Sequence, residues 1–188
     1  LALYEAYARL NAVMPRHLLR ARGFRGVVFR AASPRHAELP DLISGIGSRI
    51  HGSRWNTPLT MRVLHAAATP ETAVAESLAL RRRYGIPDRS SLPLVIRGIG
   101  CDLRSVLDLT DASTRRSLRT SVEQLRRTDW QSENRSGREA LTQAIGRAAA
   151  AAGFDGLFAP SAAVPGAVNV VVFEAAIDAA GRLWIEEA

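Results

Sequence analysis

The sequence contains no lysine: all 25 of its positive side chains are arginine. That absence excludes Schiff-base catalysis, a P-loop lysine and a lysine general base. Cysteine is nearly as scarce. The single Cys101 permits no internal disulfide framework and no multi-cysteine metal site. No apolar run approaches the ~20 residues that a membrane-crossing helix needs. The densest stretches, around Ala148–Ala152 and Val170–Phe173, suit a small-residue helix and a buried strand. Glu5 and Asn11 interrupt the apolar pattern of the first 20 residues, which predicts no signal peptide. These absences predict a cytoplasmic protein that does not engage a membrane.

What is present is ordinary for a globular chain: 188 residues, 47% hydrophobic and 23% charged. That length predicts one domain with a sizeable core. The 25 arginines against 18 acids leave a formal charge of +7, which invites a nucleic-acid reading. The distribution argues against it. Acids are spread among the arginines, and the one contiguous run, Arg81–Arg82–Arg83, ends a predicted helix where cations favour the dipole. No aromatic interleaves with that run as a base-stacking platform would require. A basic module binding nucleic acid or protein is therefore the alternative reading, and nucleic acid is not the expected ligand.

Periodicity predicts an amphipathic helix over 3–20, bent or split at Pro15, then a strand at Val27–Ala31 with Arg30 at its end. A loop-rich stretch covers 33–61, and Val63–Ala67 is a second strand. Thr69 and Pro70 form an N-cap and first turn for a helix reaching about Tyr84. Strands are expected at Leu94–Ile99, Val106–Leu109, Leu157–Ala159, Val168–Ala175 and Leu183–Ile185. Asp111–Arg127 reads as one helix, and Ser136 to Glu139 as a capping box opening a helix that ends at Gly153. The pattern predicts irregular α+β, without the alternation of a doubly wound sheet.

Two motifs fail on spacing. Gly45-Ile-Gly47 lacks the third glycine of a dinucleotide fingerprint, which would fall at Ile50. His17, His36, His51 and His65 share no ligand spacing on one element, so no metal is expected. Glu76 is more informative, because it lies along the helix stripe of Ala73, Ser77, Leu80 and Tyr84. A carboxylate turned towards a core needs a partner or a function; otherwise it is a solvated or salt-bridged residue at the stripe's edge. Arg30 ends an apolar strand, pointing to solvent or into a cleft. Arg54 and Trp55 stand in Gly52-Ser-Arg-Trp-Asn56, where a guanidinium could meet phosphate and an indole could stack on a base. The alternative is that Trp55 anchors the loop in the core while Arg54 pairs locally. Ser161 closes a strand after Pro160, as a ligand-binding hydroxyl or a turn residue. It is not a hydrolase nucleophile: the G-x-S-x-G setting is missing and no histidine follows His65.

Taken together these residues resemble the RES-domain family, named for arginine, glutamate and serine, whose members are toxins of bacterial toxin–antitoxin pairs. The resemblance runs from about Val27 to Phe173. Its segments are Val-Phe-Arg30, the Gly52–Asn56 loop, His65 with Glu76 eleven residues on, and Leu107-Asp-Leu-Thr110. Asp129-Trp130, Gln143-Ala-Ile-Gly146, Phe154-Asp-Gly156, Pro160-Ser161 and Asn169-Val-Val-Val-Phe173 complete it. It implies an ADP-ribosyltransferase-like domain, with a mixed sheet inside surrounding helices, whose substrate is NAD. It further implies that Glu76 is the catalytic acidic residue and Arg30 and Arg54 hold the dinucleotide, Arg30 sharing in catalysis. Trp55, His65, Ser161 and Asn169 are expected to line the same pocket. Many family members carry tyrosine where this chain has His65, and histidine titrates near neutral pH. The implied division is an N-terminal helical extension, 1–22, and a catalytic domain, 23–188. The implied partners are a helix-turn-helix antitoxin and, for a transferase, a protein acceptor of ADP-ribose. Contact with nucleic acid would be indirect, through the antitoxin. The alternative is the basic binding module without NAD chemistry.

Overall fold

In the computed structural model, which describes residues 1–186, helices and strands follow one another irregularly along the chain. They are α1 (Tyr7–Leu18), β1 (Arg22–Ala32), a 3-10 turn (Pro34–His36), α2 (Leu39–Ile43), α3 (Ile46–His51), β2 (Val63–Ala67), α4 (Pro70–Arg83), α5 (Asp88–Ser91) and β3 (Val95–Asp108). Then come α6 (Ala112–Ser117), α7 (Val122–Arg127), α8 (Trp130–Arg135), α9 (Leu141–Ala152), β4 (Gly156–Pro160), β5 (Val168–Phe173), α10 (Glu174–Ile177) and β6 (Leu183–Ile185). No helix among the described residues is long and apolar enough to cross a membrane.

The six strands form one mixed sheet in the order β1-β2-β5-β4-β3-β6. Only the β3–β4 pairing is parallel. Strand β1 also pairs with β3, from Arg22 against Val106 to Ala32 against Val95, so the pairings close a circuit. Two-residue alternation divides each strand between two cores. Val28, Leu64, Ala66, Ile99, Cys101, Val170 and Val172 fill one. Val63, Leu157, Val171 and Phe173 face the other, against Leu10 and Met14 of α1 and Ala144, Ile145, Ala148 and Ala149 of α9. Together they make a single α+β domain, as the sequence pattern implies, with the mixed sheet and surrounding helices that the family resemblance implies.

Local differences have local causes. Pro15 sits inside α1 without splitting it, and Leu3 is left exposed before the helix begins. Residues 33–61 contain the 3-10 turn, α2 and α3 rather than loop alone, and 95–108 is one continuous strand. The expected helix over 111–127 is two, because Arg119 turns to φ 54 and Ser121 restarts the chain with a capping box to Gln124. Ser136 caps the end of α8, so it does not open the next helix. Helix α9 starts at Leu141, where the Gln143 side chain accepts the Ala140 N–H at 3.1 Å. Glu139 instead receives Arg147 and the Tyr4 N–H.

Helix α4 forms as its start signals predict: the Thr69 hydroxyl accepts the Thr72 N–H, and Pro70 occupies the first turn. Its expected apolar stripe does not pack throughout. Ala73 is buried, but Leu80 and Tyr84 are about half exposed, so only the opening turns seat on the protein.

Candidate active site

Glu76 projects from α4 to the β4–β5 connection, where four donors converge on one of its oxygens. Oε1 accepts from Ser161 Oγ at 2.6 Å, Asn169 Nδ2 at 2.7 Å, and the Ala162 and Ala163 amides at 3.1 and 3.3 Å. The Ser161 hydroxyl in turn accepts the Val164 N–H at 2.9 Å, which fixes its proton towards Glu76. Oε2 makes no hydrogen bond among the described residues. Burial pushes the Glu76 pKa up, but the bonds from Ser161, Asn169 and the Ala163 amide, with the Arg54 charge, outweigh it. The balance holds the carboxyl below its ordinary value, hence anionic at neutral pH.

Arg54 reaches the same cleft from the Gly52–Asn56 loop. Gly52 lies at φ 73, and a Cβ there would stand 2.8 Å from Pro58 Cδ. The loop is pinned from two sides: Asn56 Nδ2 donates to the Ser48 and Met61 carbonyls, and Gln143 Nε2 to the Ser53 and Asn56 carbonyls. Trp55 is 2% exposed in the helix-side core, so it anchors the loop and is not available to stack on a ligand. That corrects its expected place in the pocket. Arg54 Nη1 donates to the Leu125 and Thr128 carbonyls at 2.8 and 3.1 Å. Burial, then the charge of Arg83, lowers its pKa to about 10 against the opposing pull of Glu76 and Asp129, leaving it charged at neutral pH.

Arg30 stands near the end of β1, its Nη1 donating to the His65 carbonyl at 3.3 Å, and burial lowers its pKa. His65 Nε2 lies 2.9 Å from Ser53 Oγ. The Ser53 hydroxyl spends its one proton on Asn56 Oδ1, so the network assigns the proton of this contact to His65 Nε2. Burial, then Arg30 and Arg54, drives the His65 pKa down to about 4 despite Glu76. The side chain is therefore neutral at physiological pH, not titrating there as free histidine does. This gives a pH signature. The unfolded chain takes up this proton near 6.5 and the native chain only near 4, so stability falls as pH drops between those values. From pH 7 to 4.5 the wild type should lose about 2 kcal/mol more than His65→Gln. Denaturant unfolding at both pH values measures this, and equal losses would refute it.

One residue of the cleft has no sequence signal. Arg126 lies among the arginines of 115–127, and its spacing singles out nothing. In the structure α7 brings it over the site, where its Nε donates to the Ser161 carbonyl at 2.9 Å. Ser53 and Gln143 do fall in segments that carry the family resemblance, but their contacts with His65 and the loop need tertiary proximity. Among the described residues, ion pairs engage Arg62, Arg82, Arg104, Arg147, Arg182 and others, but none involves Arg30, Arg54 or Arg126. The hydrogen bonds of these three go to backbone carbonyls, which orient a guanidinium without neutralising it. A cavity of about 480 Å³ beside Tyr4 and Glu133 reaches Thr128, whose carbonyl Arg54 holds, and one of about 360 Å³ lies beside Phe24 and Phe158; neither is lined by Arg30, Glu76, Arg126 or Ser161. No three His, Cys, Asp or Glu side chains among the described residues are grouped to hold a metal.

The fold and cleft define an α+β domain with a fixed carboxylate beside half-buried cations that lack carboxylate partners. The chain belongs to the RES-domain family, whose model matches residues 27–185. Its fold is similar to a chain in the crystal structure of the M. tuberculosis MbcT–MbcA toxin–antitoxin complex. The TM-score is 0.70 at 22% identity, covering 96% of this chain and 88% of that one. No curated protein sequence matches the chain.

Proposed function

We propose that this protein is the toxin of a toxin–antitoxin pair and cleaves the nicotinamide–ribose bond of NAD. The observation that carries the reading is the charge arrangement: Arg54, without a carboxylate partner, acts on an ionised Glu76 with one open oxygen, and Arg30, equally unpaired, meets the same carboxylate's field at His65. A cleft so charged suits a ligand bearing phosphates beside a centre that becomes cationic. NAD has both. Breaking its C1′–N bond leaves an oxocarbenium-like ribose, which Glu76 Oε2 is placed to stabilise, while nicotinamide departs neutral without a proton donor. The low Glu76 pKa fits that electrostatic role. Arg30, whose guanidinium is tied to the His65 carbonyl, contributes to the same step, with neutral His65, Ser161 and Asn169 shaping the pocket.

Membership in the RES-domain family supports the toxin reading, and the similar fold of a chain from a toxin–antitoxin complex is in keeping with it. The acceptor of ADP-ribose is water, phosphate or a side chain of a target protein. A helix-turn-helix antitoxin would neutralise the site by covering it, with both partners acting in the cytoplasm.

Purified protein incubated with NAD is expected to release nicotinamide, alone or when lysate supplies the acceptor. Release without lysate or phosphate identifies a hydrolase, release that requires phosphate a phosphorylase, and labelling of one lysate protein from labelled NAD a transferase. If NAD survives and no protein is labelled under either condition, the reading is wrong. Salt-sensitive nucleic-acid binding through Arg81–Arg83, with NAD untouched, would establish a basic binding module instead.

A further inference from the structure

We infer that Arg126 is a third phosphate-binding residue of this cleft, acting beside Arg54 on the pyrophosphate group of the ligand. The inference rests on the NAD reading and adds a residue that the family resemblance did not point to.

The geometry begins with α7, a helix held at both ends of its last turn. Arg54 Nη1 takes the carbonyls of Leu125 and Thr128, and Arg126 Nε takes the carbonyl of Ser161. Ser161 belongs to the turn whose hydroxyl and following amides hold Glu76 Oε1. Arg126 is thus tied to a residue of the Glu76 cradle itself while using a single one of its donors. Its two Nη atoms have no partner among the described residues, and neither is enclosed away from solvent. A half-buried arginine restrained at Nε and free at both Nη atoms presents a planar fork to whatever enters. Arg54, whose Nη1 takes the carbonyls on either side of Arg126 in the chain, keeps its Nε and Nη2 without partners among the described residues. Two forks tied to the last turn of α7 and its exit match a ligand with two linked phosphates better than one with a single anionic group.

A purely structural role, tying α7 to the turn, makes a different prediction. In that case losing Arg126 would disturb Glu76 and lower kcat for nicotinamide release while leaving KM nearly unchanged. Phosphate binding predicts the reverse: a raised KM for NAD and weakened binding of ADP, which has the pyrophosphate but no nicotinamide.

The test uses calorimetric titration of the whole chain with ADP and with adenosine, alongside NAD kinetics, for wild type, Arg126→Ala and Arg126→Lys. Arg126→Ala is expected to weaken ADP binding by about tenfold to a hundredfold and to leave adenosine binding unchanged. Arg126→Lys should recover part of the loss, because lysine restores the charge without the fork. Unchanged ADP affinity in Arg126→Ala, or an equal loss for ADP and adenosine, would overturn the assignment. Wild type that binds ADP through Arg126 but never releases nicotinamide would sink the NAD-cleavage reading and leave the phosphate site standing. Wild type that binds neither ADP nor NAD would sink both.

Discussion

Glu76→Gln is expected to cut nicotinamide release by about a hundredfold to a thousandfold while the fold stays intact. The amide oxygen of glutamine can still accept from Ser161, Asn169 and the Ala162 and Ala163 amides, so the cradle around Oε1 is kept. What is lost is the negative charge at the open oxygen, where positive charge would develop during cleavage. The same substitution removes the anion that partly offsets Arg54 in the resting cleft. ADP should therefore bind Glu76→Gln at least as tightly as wild type. A fall in kcat with retained ADP affinity separates loss of transition-state stabilisation from loss of the site. If nicotinamide release continued at the wild-type rate, Glu76 would not be the catalytic carboxylate.

Gly146→Ala should give the largest structural effect of any single methyl group near the site. A Cβ at position 146 would stand 2.0 Å from the Trp55 carbonyl oxygen and 3.2 Å from its Cα. Both sides of that clash are backbone, so no side-chain rotation relieves it. Either α9 moves outward from a core of fully buried Ala144, Ile145 and Ala148, or the Ser53–Asn56 loop moves off α9. The expected cost is about 3 kcal/mol, a loss of about 6–12 °C in melting temperature for a chain of this length. Displacing the loop also shifts Arg54 and Ser53, and with them the partner of His65, so the KM for NAD should rise. Gly47→Ala is the control: nothing lies within 4 Å of its Cβ position, and alanine is the better helix former inside α3. Its melting temperature should hold or rise. A Gly146→Ala protein as stable as wild type would mean that the close approach of α9 and the loop does not exist in solution.

The resemblance picked out Gln143-Ala-Ile-Gly146 as a motif without a mechanism, and the structure supplies one. Gln143 and Gly146 sit one turn apart on α9. The first holds the loop by two carbonyls, and the second lets its backbone approach. Trp55 illustrates the opposite case. A tryptophan in a glycine-bordered loop reads equally as a stacking platform or an anchor, and only the packing against α9 and the sheet decides for the anchor.

The sequence by itself determined the elements whose cause is local. Thr69 and Pro70 set the start of α4, the valines of β5 alternate between two cores, and Gly153 ends α9 in a left-handed turn. Where two local signals compete, it did not decide. Ser136 can open one helix or close another, and the position of Glu139 against Arg147 settled which. The absence of lysine leaves arginine as the permanently charged side chain available to a phosphate, but 25 chemically identical side chains carry no mark of their role. Only the tertiary structure decided which of them lie without a carboxylate around Glu76, and it added Arg126. It also made His65 neutral, by burying it, with the charges of Arg30 and Arg54 adding to the effect. The physical reason is common to all three: charge compensation and desolvation depend on distances through space, and a spacing along the chain fixes those only within one helix or strand.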